Sequence, residues 1–143
     1  MTNQQTCAFI GHGGRISERI VTNIFFAADV FIKATDEPIF IVGGISPYER
    51  ECTRTVLLMR DEYPKKKIGL HIVRPDEEMP VKWFDSVLIC EEAAKYHSNP
   101  RKMKQILTQW MINHAETVIL YCNKRTKPLG VEYAPEQVII NVS

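Results

Sequence analysis

Twice in its first fifty residues the chain runs from a short apolar stretch into a glycine turn and then into a helical pattern. The first instance is Thr6-Cys7-Ala8-Phe9-Ile10-Gly11-His12-Gly13-Gly14-Arg15. The second is Pro38-Ile39-Phe40-Ile41-Val42-Gly43-Gly44-Ile45-Ser46-Pro47-Tyr48-Glu49. Glycine admits positive φ and lets the main chain come close to a ligand, while the N–H groups opening the next helix favour an anion. One such turn says little. Two in succession predict a mononucleotide-binding type of α/β domain with a ligand crevice where the strands end.

The remaining periodicity agrees with that class. Ile16, Ile20, Ile24, Ala27, Ala28 and Phe31 recur at helical spacing over 16–33, with Ser17 or the glycines before it as the start. Tyr48, Cys52, Val56, Met59 and Tyr63 give a second helix over about 48–63, stopped by Pro64. Ile68 to Val73 reads as a third strand, apolar enough to be buried on both faces. From Arg74 to about Pro100 the pattern lapses apart from Val87-Leu88-Ile89-Cys90, and so long an irregular segment is a candidate lid. A further helix over about 101–114 carries Met103, Ile106, Leu107, Trp110 and Met111, a stripe that suits the core and is also a candidate face for a homodimer. A strand at 117–121, a loop from Asn123 to Leu129, a helical turn over 131–135 and a closing strand at 137–142 complete the chain. Strands alternating with helices predict a mostly parallel sheet of about five strands, covered on both faces and joined by right-handed crossovers, in one domain over 1–143.

Charge and cysteine usage exclude several classes. A net charge of +1 on 143 residues removes the electrostatic argument for a nucleic-acid or membrane-surface binder. Cys7, Cys52, Cys90 and Cys122 have no C-x-x-C spacing and so no metal or redox motif; thiols in apolar runs behave as small hydrophobes, which fits a reducing cytoplasm. No apolar stretch approaches the length that spans a bilayer. The expectation is a cytoplasmic protein without metal or cofactor.

Phe9-Ile10-Gly11-His12, Val42-Gly43-Gly44 followed by a Tyr-Glu pair, Glu62-Tyr63-Pro64, Phe84-Asp85-Ser86-Val87-Leu88-Ile89 and Trp110-Met111-Ile112-Asn113-His114-Ala115-Glu116 resemble, in order and spacing, the YpsA-like branch of the SLOG superfamily. The resemblance spans most of the chain. It implies a Rossmann-like three-layer α/β fold that binds a nucleotide or nucleotide-derived ligand, and it points to the cytokinin-activating LOG proteins, which cleave a base from a nucleoside monophosphate. The chain departs from the pattern at several places. The family's G-H-R turn is Gly11-His12-Gly13-Gly14-Arg15 here, with the arginine two residues later, and Leu107-Thr108 stand where an Arg-Asn pair often precedes the W-M segment. The enzymatic branch's P-G-G-x-G-T-x-x-E corresponds to Pro128-Leu129-Gly130-Val131-Glu132-Tyr133-Ala134-Pro135-Glu136. Leu129 and Glu132 then put a side chain and a negative charge where a phosphate needs bare N–H groups.

These readings place phosphate at Gly11, His12, Gly13, Gly14 and Arg15, and a ribose or second phosphate at Gly43, Gly44, Ser46 and Glu49. Tyr48 is a candidate for stacking on a base, although its place on the apolar helical stripe favours the core; Asn123 and Gly130 close the other side, and Arg101-Lys102 with Lys104 is a candidate phosphate contact. Glu49 and Glu136 are the carboxylates able to stabilise an oxocarbenium-like state in a phosphoribohydrolase. A dehydrogenase is disfavoured, because Ile16 occupies the third glycine position of the dinucleotide fingerprint and no acidic residue ends the second strand. The leading expectation is a sensor or sequestering protein for a nucleotide, an ADP-ribose or NAD-like molecule or a cyclic nucleotide; the alternatives are an N-glycosidase on such a ligand and an interaction module that has lost it.

Overall fold

The computed structural model describes residues 3–11, 15–76, 82–122 and 130–143. Its elements are β1 (Gln4–Gly11), α1 (Glu18–Ala34), β2 (Glu37–Val42), α2 (Pro47–Glu62), β3 (Gly69–Arg74), β4 (Ser86–Ile89), α3 (Glu91–Ala94), α4 (Pro100–Asn113), β5 (Thr117–Tyr121) and β6 (Val138–Asn141). The strands form one sheet in the order β4-β3-β2-β1-β5-β6, and every neighbouring pair is parallel. This is a Rossmann-like three-layer α/β fold. No helix among the described residues is long and apolar enough to cross a membrane.

Alternation along the strands builds the two outer layers. Cys7, Phe9, Phe40, Val42, Leu70, Ile72 and Ile119 point to the face covered by α1 and α2, where Phe40 stacks on Phe9 and meets Phe31 edge-on, both at 5.3 Å. Ala8, Ile10, Ile41, Val73, Val118 and Leu120 point to the other face, covered by α3 and α4. Two-sided burial is why these strands read as unbroken apolar runs. The connections β1-α1-β2-α2-β3 step one way across the sheet on one face, and β4-α4-β5 steps back on the opposite face, which keeps one hand throughout. Strand order therefore reverses at β1, between β2 and β5.

The sheet has six strands where about five are expected from sequence. The extra one, β4, lies in the segment read as irregular, and α3 follows it directly. Four residues on a sheet edge, none fully buried, are too few to show a period. The helical turn expected over 131–135 is absent. There the Gln109 amide accepts from the Glu132 N–H at 2.8 Å and donates to its carbonyl at 2.9 Å, while Gln137 donates to the carbonyls of Ile112 and Ala115. Side chains satisfy the backbone that a helix would otherwise have satisfied itself. Lys66, in the run Lys65-Lys66-Lys67 between α2 and β3, donates to the carbonyls of Ile32 and Thr35 and so closes the carboxyl end of α1. The α4 stripe packs onto the sheet, with Met111 and Ile112 buried and Met103, Ile106, Leu107 and Trp110 half-buried against the same cluster.

His71 on β3 gives the fold a pH dependence. Its Nδ1 lies 2.7 Å from the Ser86 hydroxyl, and burial holds its pKa below the ordinary 6.5, with the Asp85 charge opposing and Arg60 reinforcing the shift. The unfolded chain therefore takes up this proton first as pH falls. Its contribution to stability is complete above about pH 6.5 and declines as pH drops towards the folded value. Urea midpoints at about pH 7.5 and pH 5.5 are expected to show a smaller loss in His71→Asn than in the parent chain.

Candidate functional site

A cleft of about 320 Å³ opens at the carboxyl ends of β1, β2 and β3. Its floor is Phe9, Ile10, Gly11 and Gly43, Glu49 comes from the first turn of α2, and Arg74 and Pro75 come from the end of β3. One face of α4 forms its roof, with Met103, Lys104, Leu107, Thr108 and Met111. In an open parallel sheet, ligands bind at this end because the helix N-termini and the loops converge there. Asn99 caps α4 by accepting from the Lys102 N–H at 3.2 Å, which sets the helix start, and with it Lys104, beside the cleft.

The second glycine turn is held by a capping box. Ser46 is the N-cap of α2, its hydroxyl donates to Glu49 Oε1 at 2.7 Å, and the Ser46 N–H reaches the same oxygen at 3.4 Å. The pattern S-x-x-E signals this arrangement in the sequence. Glu49 thereby lies across both glycines. A Cβ on Gly44 would sit 3.1 Å from Oε1, and one on Gly43 would sit 3.4 Å from Oε2 and 3.0 Å from Met111 Sδ. Both glycines leave room for the carboxylate. Among the described glycines only Gly130 has a positive φ, +46°. Close approach, and not an unusual backbone angle, is therefore what Gly11, Gly43 and Gly44 supply.

Comparison with models of known protein families and with curated proteins finds no match.

The structure brings together Gly11, Gly43 and Glu49 in the cleft, with Gly44 and Ser46 beside them, and adds Lys104 from the basic run of α4. His12, Gly13, Gly14 and Asn123 lie outside the described residues. Arg15 is exposed and faces Pro47, Arg50 and Glu51, on a separate concavity. Gly130 is exposed, with Gln105 beside it, and does not line the cleft among the described residues.

Two of the candidates do not line the cleft. Tyr48 cannot stack on a base: it is fully buried, its hydroxyl donates to the Ile119 carbonyl at 2.7 Å, and its ring lies 5.5 Å from that of Tyr121. Glu136 does not share a site with Glu49. It lies just before β6, in a hollow with Glu116 and Gln137 at the amino end of the sheet, whereas Glu49 stands at the carboxyl end. The thiols of Cys7 and Cys52 are buried and their pKa values are pushed up by that burial, so neither is a nucleophile.

Sequence reasoning passed over Arg74. It ends β3, lines the cleft, and its buried Nε has no hydrogen-bond partner among the described residues. An arginine closing an otherwise apolar strand is the signal that could have marked it. With Lys104 it supplies two positive charges facing one carboxylate, Glu49, across largely apolar walls. Such an arrangement holds an anionic group by charge-assisted hydrogen bonds and leaves the carboxylate to accept from hydroxyls.

Proposed function

We propose that the chain binds a nucleotide-derived ligand in this cleft, as a sensor or sequestering protein. The observation that carries the reading is the joint placement of Arg74, Lys104 and Glu49 at the carboxyl ends of parallel strands, above two glycines that leave the floor open. Arg74 and Lys104 take the phosphate, and Glu49 accepts from ribose hydroxyls through Oε2, while Oε1 is occupied by Ser46. A volume near 320 Å³ is at the lower end for small-molecule sites and suits one nucleotide better than two. The SLOG resemblance supports the same class, since Gly11 and Gly43 of its motifs border the cleft, while Leu107 and Thr108, which also border it, stand where the family often has an Arg-Asn pair.

A second reading, a phosphoribohydrolase, draws on the Glu49 carboxylate in the cleft. Isothermal titration with nucleoside monophosphates, ADP-ribose, NAD and cyclic nucleotides tests both. Saturable binding of one of them, with the ligand recovered intact, is the expected result. Free base in the recovered sample, absent with Glu49→Ala, would instead establish the hydrolase, and no binding across the panel would remove the proposal.

A further inference from the structure

A larger concavity, of about 590 Å³, lies on the opposite face of the sheet and shares no lining residue with the cleft. Its origin is topological. The β3–β4 connection returns on the α2 side, as Phe84 and Val87 pack into the α1–α2 cluster, but its described residues, 75–76 and 82–85, contain no helix. Among the described residues of that connection, Trp83 and Phe84 border the outer flank of α2. Their position is fixed because Asp85 accepts from Arg60 at 2.8 Å and from the Leu70 N–H at 2.9 Å. Ile45 and Leu57 complete an apolar wall in which Trp83 is 53% and Ile45 43% exposed.

The charged residues lining this groove are both cationic. Arg50 and Arg54 stand one helical turn apart on α2. The Arg50 guanidinium makes no ion pair or side-chain hydrogen bond with another described residue. Arg54 reaches Glu51 only at 3.8 Å, with its own side chain 70% exposed. Such an exposed contact contributes little, and both guanidiniums are available to a ligand.

We infer that this groove is a second ligand site, built for a small amphiphilic anion: one apolar chain or ring against Trp83, Phe84, Ile45 and Leu57, and one carboxylate or sulfonate on Arg50 and Arg54. Its volume lies within the range of small-molecule sites. A neutral hydrocarbon gains burial alone, and an anion without an apolar body leaves the tryptophan wet. The matched pair of features selects a ligand having both.

Octanoate and octanol, titrated calorimetrically into the full chain, separate these contributions. Octanoate is expected to bind at one site at least about tenfold more tightly than octanol, the difference of one charge-assisted contact. Arg50→Ala/Arg54→Ala should abolish that preference and leave octanol binding unchanged, and Leu57→Glu should abolish octanoate binding. Arg74→Ala, in the other site, should change neither. Equal affinity for the two probes, or octanoate binding indifferent to both groove variants, would overturn the inference. If Leu57→Glu does not fold, the double arginine variant decides, since both side chains are exposed.

Discussion

Gly11→Ala is expected to destabilise the protein by about 2–3 kcal/mol, the upper part of the range for overpacking a filled core. A Cβ at this position would lie 2.4 Å from Tyr48 Cδ2, 2.7 Å from Cε2 and 2.9 Å from Cγ. The ring cannot swing aside cheaply. It is fully buried, tethered through its hydroxyl to Ile119, and packed against Tyr121. Moving it costs contacts and a buried hydrogen bond worth about 1 kcal/mol. Urea denaturation of Gly11→Ala, Tyr48→Leu and the double variant checks the cause. If the clash is with the ring, the double variant loses less than the sum of the two single losses. Strict additivity would mean that the glycine is required for some other reason.

Arg74→Ala is expected to weaken binding of a nucleoside monophosphate by about 10- to 100-fold, the loss of one charge-assisted contact to phosphate in a partly desolvated site. Folding stability should be almost unchanged. The Arg74 Nε is buried without a hydrogen-bond partner among the described residues, so truncation removes an unsatisfied group and breaks no Nε hydrogen bond to any of them. Titration calorimetry and urea midpoints on the same preparation test the pair of outcomes together. A loss of stability with affinity intact would assign Arg74 to the scaffold and take away the main cation of the proposed site.

Much of this fold was legible because strands buried on both faces leave unbroken apolar runs, and the helices between them show their core stripe at 3.6-residue spacing. β4 was not legible, being a four-residue edge strand with a weak pattern. The 130–137 segment misled because its regularity comes from long-range bonds made by Gln109 and Gln137, which no local window reveals. At the candidate site, the glycine turns marked the end of the sheet where the cleft opens. Gly11 makes way for Tyr48, and Gly44 makes way for Glu49, so both answer to packing as well as to any ligand. Glu136 was marked by the final glutamate of a linear motif, which carries no information about which end of a strand it falls on. Arg74 escaped notice because an arginine ending an apolar strand is a weak signal until the fold shows its Nε buried and without a hydrogen-bond partner among the described residues.

The proposal that the cleft is a nucleotide site is tested most directly by amide chemical-shift mapping with the tightest ligand found by titration. Saturable shifts at Gly11, Gly43, Gly44, Arg74, Lys104 and Thr108, lost in Arg74→Ala, are the result expected. Shifts confined to the Glu116 and Glu136 end of the sheet, or none at saturating ligand, would contradict it.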